Sequence, residues 1–214
     1  MGKIKIINGN IITPYKMIKN GCVIIEDGKI IEVLSESLNQ CCCSNKQNRN
    51  DGKECCEVID AAGKFVAPGF IDIHTHGGGG HDFLDATVEA YLGAAEKHVQ
   101  HGTTALVPTA TTSTKEELKE CFDVYKEAKK QNTKGSQFIG LHLEGPYFAM
   151  SQKGAQDPRF IRSPKREEYE EILSWSDDIV RWSAAPELEG ALEFGRTMKS
   201  KGILASIAHT DAIY

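Results

Sequence analysis

Pro68-Gly69-Phe70-Ile71-Asp72-Ile73-His74-Thr75-His76 is the stretch on which the reading of this chain turns. It is a short apolar run that ends in two histidines one residue apart, just before the glycine run Gly77 to Gly80. Side chains at i and i+2 of a strand point to the same face. His74 and His76 are therefore expected to project two imidazoles in one direction at a strand end. Two convergent neutral imidazoles can chelate a transition metal.

Outward from that run, strands and helices are expected to alternate. Further apolar runs lie at 103–107, 138–143, 179–185 and 203–208, with the first extending over 65–73. Between them Val88, Tyr91, Leu92, Ala95 and Val99 recur at helical spacing, with Gly102 as the stop. Thr114 followed by Glu117 reads as a capping box, with Leu118, Phe122 and Tyr125 on the buried face. Ser163-Pro164 is expected to open a third helix, serine as cap and proline at the first position. A fourth is expected over about 189–201, closed by Gly202. This order implies an α/β class with parallel strands and helices outside them. Five strands fit an open sheet or most of an eight-stranded barrel. Reactive groups in such folds gather at the carboxyl ends of strands. Here His74 and His76, Thr109, Glu144, Glu187, and His209 with Asp211 follow successive runs. A doubly wound sheet would concentrate them at one switch point, so the spread favours the barrel.

Residues 3–34 read instead as short strands, with Asp27-Gly28 as a tight turn. Residues 58–65 return to strand-like composition, with Gly63 at a turn. Between them, residues 35–57 are polar, lack apolar periodicity and read as an irregular loop. Five of the seven cysteines (Cys41, Cys42, Cys43, Cys55 and Cys56) lie in or beside that loop. Adjacent cysteines are not the spaced pairs of a structural zinc site.

Composition narrows the function classes. The 214 residues carry a net charge of −5, which does not indicate a nucleic-acid footprint. No apolar run of about 18 residues is present, so no membrane span is expected. The N-terminus alternates polar and apolar residues and lacks the apolar core of a signal peptide; a cytoplasmic protein is expected.

Glu144, in Leu141-His142-Leu143-Glu144-Gly145-Pro146, places a carboxylate at a strand end. His209, in Ala208-His209-Thr210-Asp211, places an imidazole at another. With His74 and His76 they form a nitrogen and oxygen donor set suited to zinc or iron. An ion so held would polarise a carbonyl and acidify a bound water. The implied chemistry is metal-assisted hydrolysis of a carbon–nitrogen or carbon–oxygen bond.

The His-Thr-His run after N-terminal strands resembles the amidohydrolase superfamily. That run alone also suits members acting on a cyclic amide or a nucleobase. Four further segments resemble the N-acetylglucosamine-6-phosphate deacetylases: Gly102-Thr103-Thr104 through Pro108-Thr109, the Glu144-Gly145-Pro146 segment, Lys153-Gly154-Ala155-Gln156-Asp157-Pro158, and Ala208-His209-Thr210-Asp211-Ala212. The resemblance implies a TIM-like (β/α)8 metal-dependent hydrolase barrel. About five of the eight strands would lie in residues 65–214, and a small β-sandwich part in residues 1–64. It implies Glu144 and His209 as metal ligands, His74 and His76 as the pair that some members use for a second ion, and one or two ions, zinc first and iron second. It implies that Ala155 and Gln156 contact the amino sugar. Many members carry histidine where this chain has Gln156. The substrate implied is a small amino-sugar phosphate, and the assembly a homodimer. Members run well past 300 residues. Another metal-binding histidine, the catalytic aspartate and the phosphate-binding residues are therefore expected beyond Tyr214. The expectation is a fragment, inactive and poorly stable as an isolated 214-residue polypeptide.

Overall fold

The computed structural model describes residues 2–35 and 56–213. The loop expected at 35–57, with Cys41, Cys42, Cys43 and Cys55, lies almost wholly outside the described residues. Tyr214 also lies outside them. The chain divides into two compact units between Pro68 and Gly69.

The first unit is one five-stranded sheet of β1 (Lys3–Ile12), β2 (Met17–Glu26), β3 (Lys29–Leu34), β4 (Glu57–Asp60) and β5 (Phe65–Val66). Its order is β3-β2-β1-β4, with β5 also on β1. Asp27 and Gly28 join β2 to β3 with φ of 50° and 77°. Left-handed backbone at both turn positions suits the right-handed twist of a two-residue hairpin. A sandwich needs two layers; among its described residues this unit contributes one.

The apolar run at 65–73 is two strands rather than one. Phe65–Val66 pairs with β1, and the second unit begins with β6 (Phe70–Thr75). The break falls at Pro68, which has no N–H to give to a ladder. The two compact units divide at 68/69, four residues past the expected 64/65.

The second unit continues with β7 (Gly77–Gly78), β8 (His81–Asp82), α1 (Val88–Val99), β9 (Thr103–Ala110) and α2 (Lys115–Gln131). Then come β10 (Gln137–Phe138), β11 (Leu141–Glu144), α3 (Arg166–Leu173), β12 (Ile179–Ala184), α4 (Ala191–Ser200) and β13 (Leu204–Ile207). β6, β9, β11, β12 and β13 lie side by side, all parallel, with β10 also on β9. β10 and β11 together make the third barrel strand, interrupted at Ile139-Gly140. Gly140 has φ 151°, and a Cβ there would stand 2.4 Å from Val180 Cγ1, so glycine is required at that break.

The sheet is curled. Arg181 on β12 donates from Nη1 to the Ile73 carbonyl on β6 at 3.1 Å. On a flat sheet those strands, three positions apart at about 4.8 Å each, would be about 14 Å apart. Closure of that distance makes this the curved wall of a partial (β/α) barrel, as expected.

The main core lies between the strands and the helices, not inside the curl. Tyr91, Tyr125 and Phe138 pack with ring centroids 5.8–6.2 Å apart on one side. Tyr147, Trp182, Phe194 and Tyr169 pack on the other. All seven are fully buried. The capping box of Thr114 and Glu117 starts α2 as expected. The Ser163-Pro164 start for α3 is not observed. The helix begins at Arg166, its Lys165 cap makes no side-chain bond, and Arg162 instead pairs with Glu168 in the first turn. No helix among the described residues is long and apolar enough to cross a membrane.

Candidate metal centre

Strand alternation divides β12 between two environments. Trp182 faces the helices, while Arg181 and Ser183 face the concave side. The same alternation on β11 turns His142 and Glu144 inward, and on β6 it aims His74 at them. The concave side is accordingly polar where the outer layer is aromatic.

Glu144 ends β11 and is only 6% exposed. Its Oε1 lies 3.4 Å from His74 Nε2, and its Oε2 lies 3.2 Å from His76 Nε2. One donor atom from each of these three residues lies within 4.8 Å of the others. Among the described residues this is the one such cluster of histidine, cysteine and carboxylate groups. Two imidazoles and a carboxylate converging on one point fit a divalent transition ion, zinc in particular. The histidine pair meets at Glu144, although β6 ends at Thr75 and His76 stands just beyond it. The trio contains no aspartate.

His209 also reaches the carboxylate, its Nε2 3.3 Å from Glu144 Oε1, but it is not part of the tight trio. Its backbone has φ 49°, an uncommon value for a non-glycine residue. Several contacts hold that conformation. His209 Nδ1 lies 2.7 Å from the Gln152 carbonyl, and the ring lies over Phe148 with centroids 4.4 Å apart. Glu187 accepts from the Thr210 hydroxyl at 2.5 Å and the Asp211 N–H at 2.7 Å. Asp211 accepts from Ser151 and Gln152. Glu187 and Asp211, strand-end candidates in the sequence, thus bind the loop that carries His209 and do not enter the cluster.

Burial alone would raise the Glu144 pKa. The His76 hydrogen bond, the facing charge of His74 and His76, and the His209 hydrogen bond outweigh it and hold the carboxyl down at about 2. The same hydrogen bond to Glu144 raises His76, while desolvation lowers His74. The carboxylate is thus held ionised, and the two imidazoles that face it shift in opposite directions, His76 up and His74 down. A metal would need all three deprotonated.

His142 is a residue that spacing did not single out. It is fully buried, with Nδ1 3.2 Å from Thr109 Oγ1 and Nε2 2.7 Å from Ser183 Oγ. Its ring meets that of His74 edge-on at 4.9 Å. Desolvation first, then the positive charge of Arg181, push its pKa down to about 3, so it is neutral. Thr109 extends the chain of contacts: its hydroxyl accepts from the Thr75 N–H, and its carbonyl lies 3.2 Å from His76 Nδ1. That second contact fixes the orientation of the His76 ring. The available signal for His142 was its i, i+2 relation to Glu144.

Gln156 is buried, and its side chain points to Glu144 rather than outward. Ala155 lies in the same turn and is exposed.

The amidohydrolase family model matches residues 65–195. The chain is 32% identical over 165 residues to the N-acetylglucosamine-6-phosphate deacetylase of Vibrio furnissii, covering 77% of this chain and 41% of that protein. It is 31% identical over 206 residues to the enzyme of the same name from Bacillus subtilis, covering 94% and 49%. The solved N-acetylglucosamine-6-phosphate deacetylase of Pasteurella multocida superposes with a TM-score of 0.82 at 27% identity, covering 98% of this chain and 52% of that one. The chain thus spans about half the length of the curated relatives it matches.

Proposed function

The chain belongs to the metal-dependent amidohydrolase family, and from that premise we propose that it forms the metal-holding part of an N-acetylglucosamine-6-phosphate deacetylase. The reaction is hydrolysis of the acetamide of N-acetylglucosamine 6-phosphate to glucosamine 6-phosphate and acetate. The observation that carries this reading is the convergence of His74, His76 and Glu144 at the carboxyl ends of barrel strands, with His209 beside them. The relatives' names supply the substrate.

Glu144 is the central ligand, His74 and His76 complete the trio, and His209 approaches from the opposite end of the sheet. A bound zinc ion supplies Lewis-acid polarisation of the acetyl carbonyl and a more acidic water. Hydrolysis breaks the carbon–nitrogen bond, adds hydroxyl to the acetyl carbon and a proton to the departing amine. The protein's share is to keep Glu144 ionised and to hold the ligand rings at fixed angles. Thr109 and Gln152 do this for His76 and His209 through backbone carbonyls. Ala155, exposed in the turn beside Gln156, is the sugar-contacting position. Glu187 and Asp211 are engaged elsewhere, so neither serves as the proton carrier. A homodimer and a cytoplasmic location belong to the same reading.

The test joins zinc retention by this chain with acetate release by the product translated from the whole gene. The chain is expected to retain zinc, and a Glu144→Ala, His209→Ala double variant to lose it. The gene product is expected to release acetate from N-acetylglucosamine 6-phosphate and to leave cyclic amides unopened. A chain that takes up no zinc refutes the metal centre; ring opening without acetate release refutes the deacetylase.

A further inference from the structure

Gln156 is 8% exposed and lies in the turn that follows a 3-10 turn at Met150–Gln152. Its backbone N–H donates to the Lys153 carbonyl at 3.0 Å, which fixes where its side chain starts. The side chain then bridges two groups. Its Oε1 accepts from the Thr112 backbone N–H at 3.0 Å, and its Nε2 donates to Glu144 Oε2 at 3.1 Å. The orientation of this amide is not ambiguous. A backbone N–H can only donate, so the carbonyl end must face Thr112 and the NH2 end must face the carboxylate.

From this bridge we infer that Gln156 is a positioning residue for the metal centre, holding the Glu144 carboxylate in its ligating orientation. The inference rests on Glu144 being a metal ligand and assigns to Gln156 a role through that ligand. Both ends of its amide are engaged with protein atoms, and the residue is buried. Glu144 Oε1 faces His74 and His209, and Oε2 faces His76. The amide is therefore a neutral donor on a carboxylate otherwise surrounded by imidazoles. The Gln156 contact would not depend on the protonation state of those imidazoles, because a carboxamide does not ionise at ordinary pH. The other end of the bridge is anchored on backbone just past β9, so the carboxylate is tied to a neighbouring strand and not only to its own loop. Outer partners of metal ligands commonly contribute roughly 10- to 100-fold in metal affinity.

The experiment is Co(II) titration of the chelator-stripped chain, read by visible absorption, with a thermal melt of each protein. Gln156→Met keeps the volume and removes both hydrogen bonds; it is expected to bind Co(II) roughly 10- to 100-fold more weakly. Gln156→Asn keeps the amide but is one methylene shorter and reaches only one partner; it is expected to weaken binding as well. Gln156→His, which can accept from Thr112 and donate to Glu144 in its neutral form, is expected to restore affinity. Wild-type Co(II) affinity in the Met or Asn variant, while Glu144→Gln loses the ion, overturns the inference and leaves the metal centre standing. Affinity lost in Gln156→His as fully as in Gln156→Met also overturns it, since packing alone would then explain the residue. A wild-type chain that takes up no Co(II) overturns the metal centre itself, and the positioning role with it.

Discussion

His142 gives the molecule a specific sensitivity to acid. In the folded chain its pKa is pushed down to about 3, first by desolvation and then by Arg181. In the unfolded chain an ordinary histidine titrates at about 6.5. Between those values the unfolded chain binds one more proton than the folded one, so stability falls as pH falls below about 6.5 and is fully present above it. At about 1.4 kcal/mol per pKa unit, the loss between pH 7 and pH 5 is about 2 kcal/mol from this residue alone. That figure is the same for a native pKa of about 3 or about 4, because at pH 5 the buried ring stays neutral in either case. Urea unfolding at both pH values, in chelator, measures it. His142→Gln keeps a neutral donor and acceptor between Thr109 and Ser183 but has no proton to gain. The variant is expected to lose stability at pH 7 through imperfect replacement, and then to fall about 2 kcal/mol less than wild type on going to pH 5. Parallel losses in the two proteins would refute the argument, because the native ring would then be accepting its proton.

Three other outcomes follow from the same geometry. Because the Glu144 hydrogen bond raises His76, metal affinity is expected to fall as pH drops through that raised value; Co(II) dissociation constants measured from about pH 8 to about pH 6 should rise, with proton release on binding. Glu187→Ala removes two bonds from the loop that holds His209 at φ 49°, and is expected to weaken Co(II) binding about 2- to 10-fold with little change in the melting temperature. Gly145→Ala would place a Cβ 2.4 Å from Thr112 Oγ1 at φ 109°; a destabilisation of about 2 to 4 kcal/mol is expected by urea unfolding.

Much of the barrel was legible because its strands and helices differ in period. The capping box at Thr114 and the i, i+2 histidines act over a few residues, and both are where local reasoning puts them. The start of α3 was misread because Ser163-Pro164 is a good local signal overridden by the ion pair of Arg162 with Glu168. The strand break at Pro68 was present in the sequence but was passed over, because apolar residues continue on both sides of it. Long-range partners were the illegible part. Nothing in its neighbours marks His142 as the group between Thr109 and Ser183, residues 33 and 41 positions away. The same holds for Gln156 and Thr112, 44 positions apart. Glu187 and Asp211 misled for the converse reason, since a strand-end carboxylate can bind a ligand or bind its own loop.

The polar contacts on the concave side run across the strands: Thr75 to Thr109, Thr109 to His142, His142 to Ser183, and Arg181 to Ser206. Parallel strands covered on both faces are rich in apolar residues, and such residues tolerate sliding. A slip of one residue would turn each of these donors and acceptors toward the aromatic layer and strand it there without a partner. The row therefore acts as an alignment gauge for folding. Only the pairing that closes it satisfies every member of this row, and that same pairing brings His74 and Glu144 together. Correct assembly of the wall and convergence of the His74, His76 and Glu144 side chains are in this sense one event.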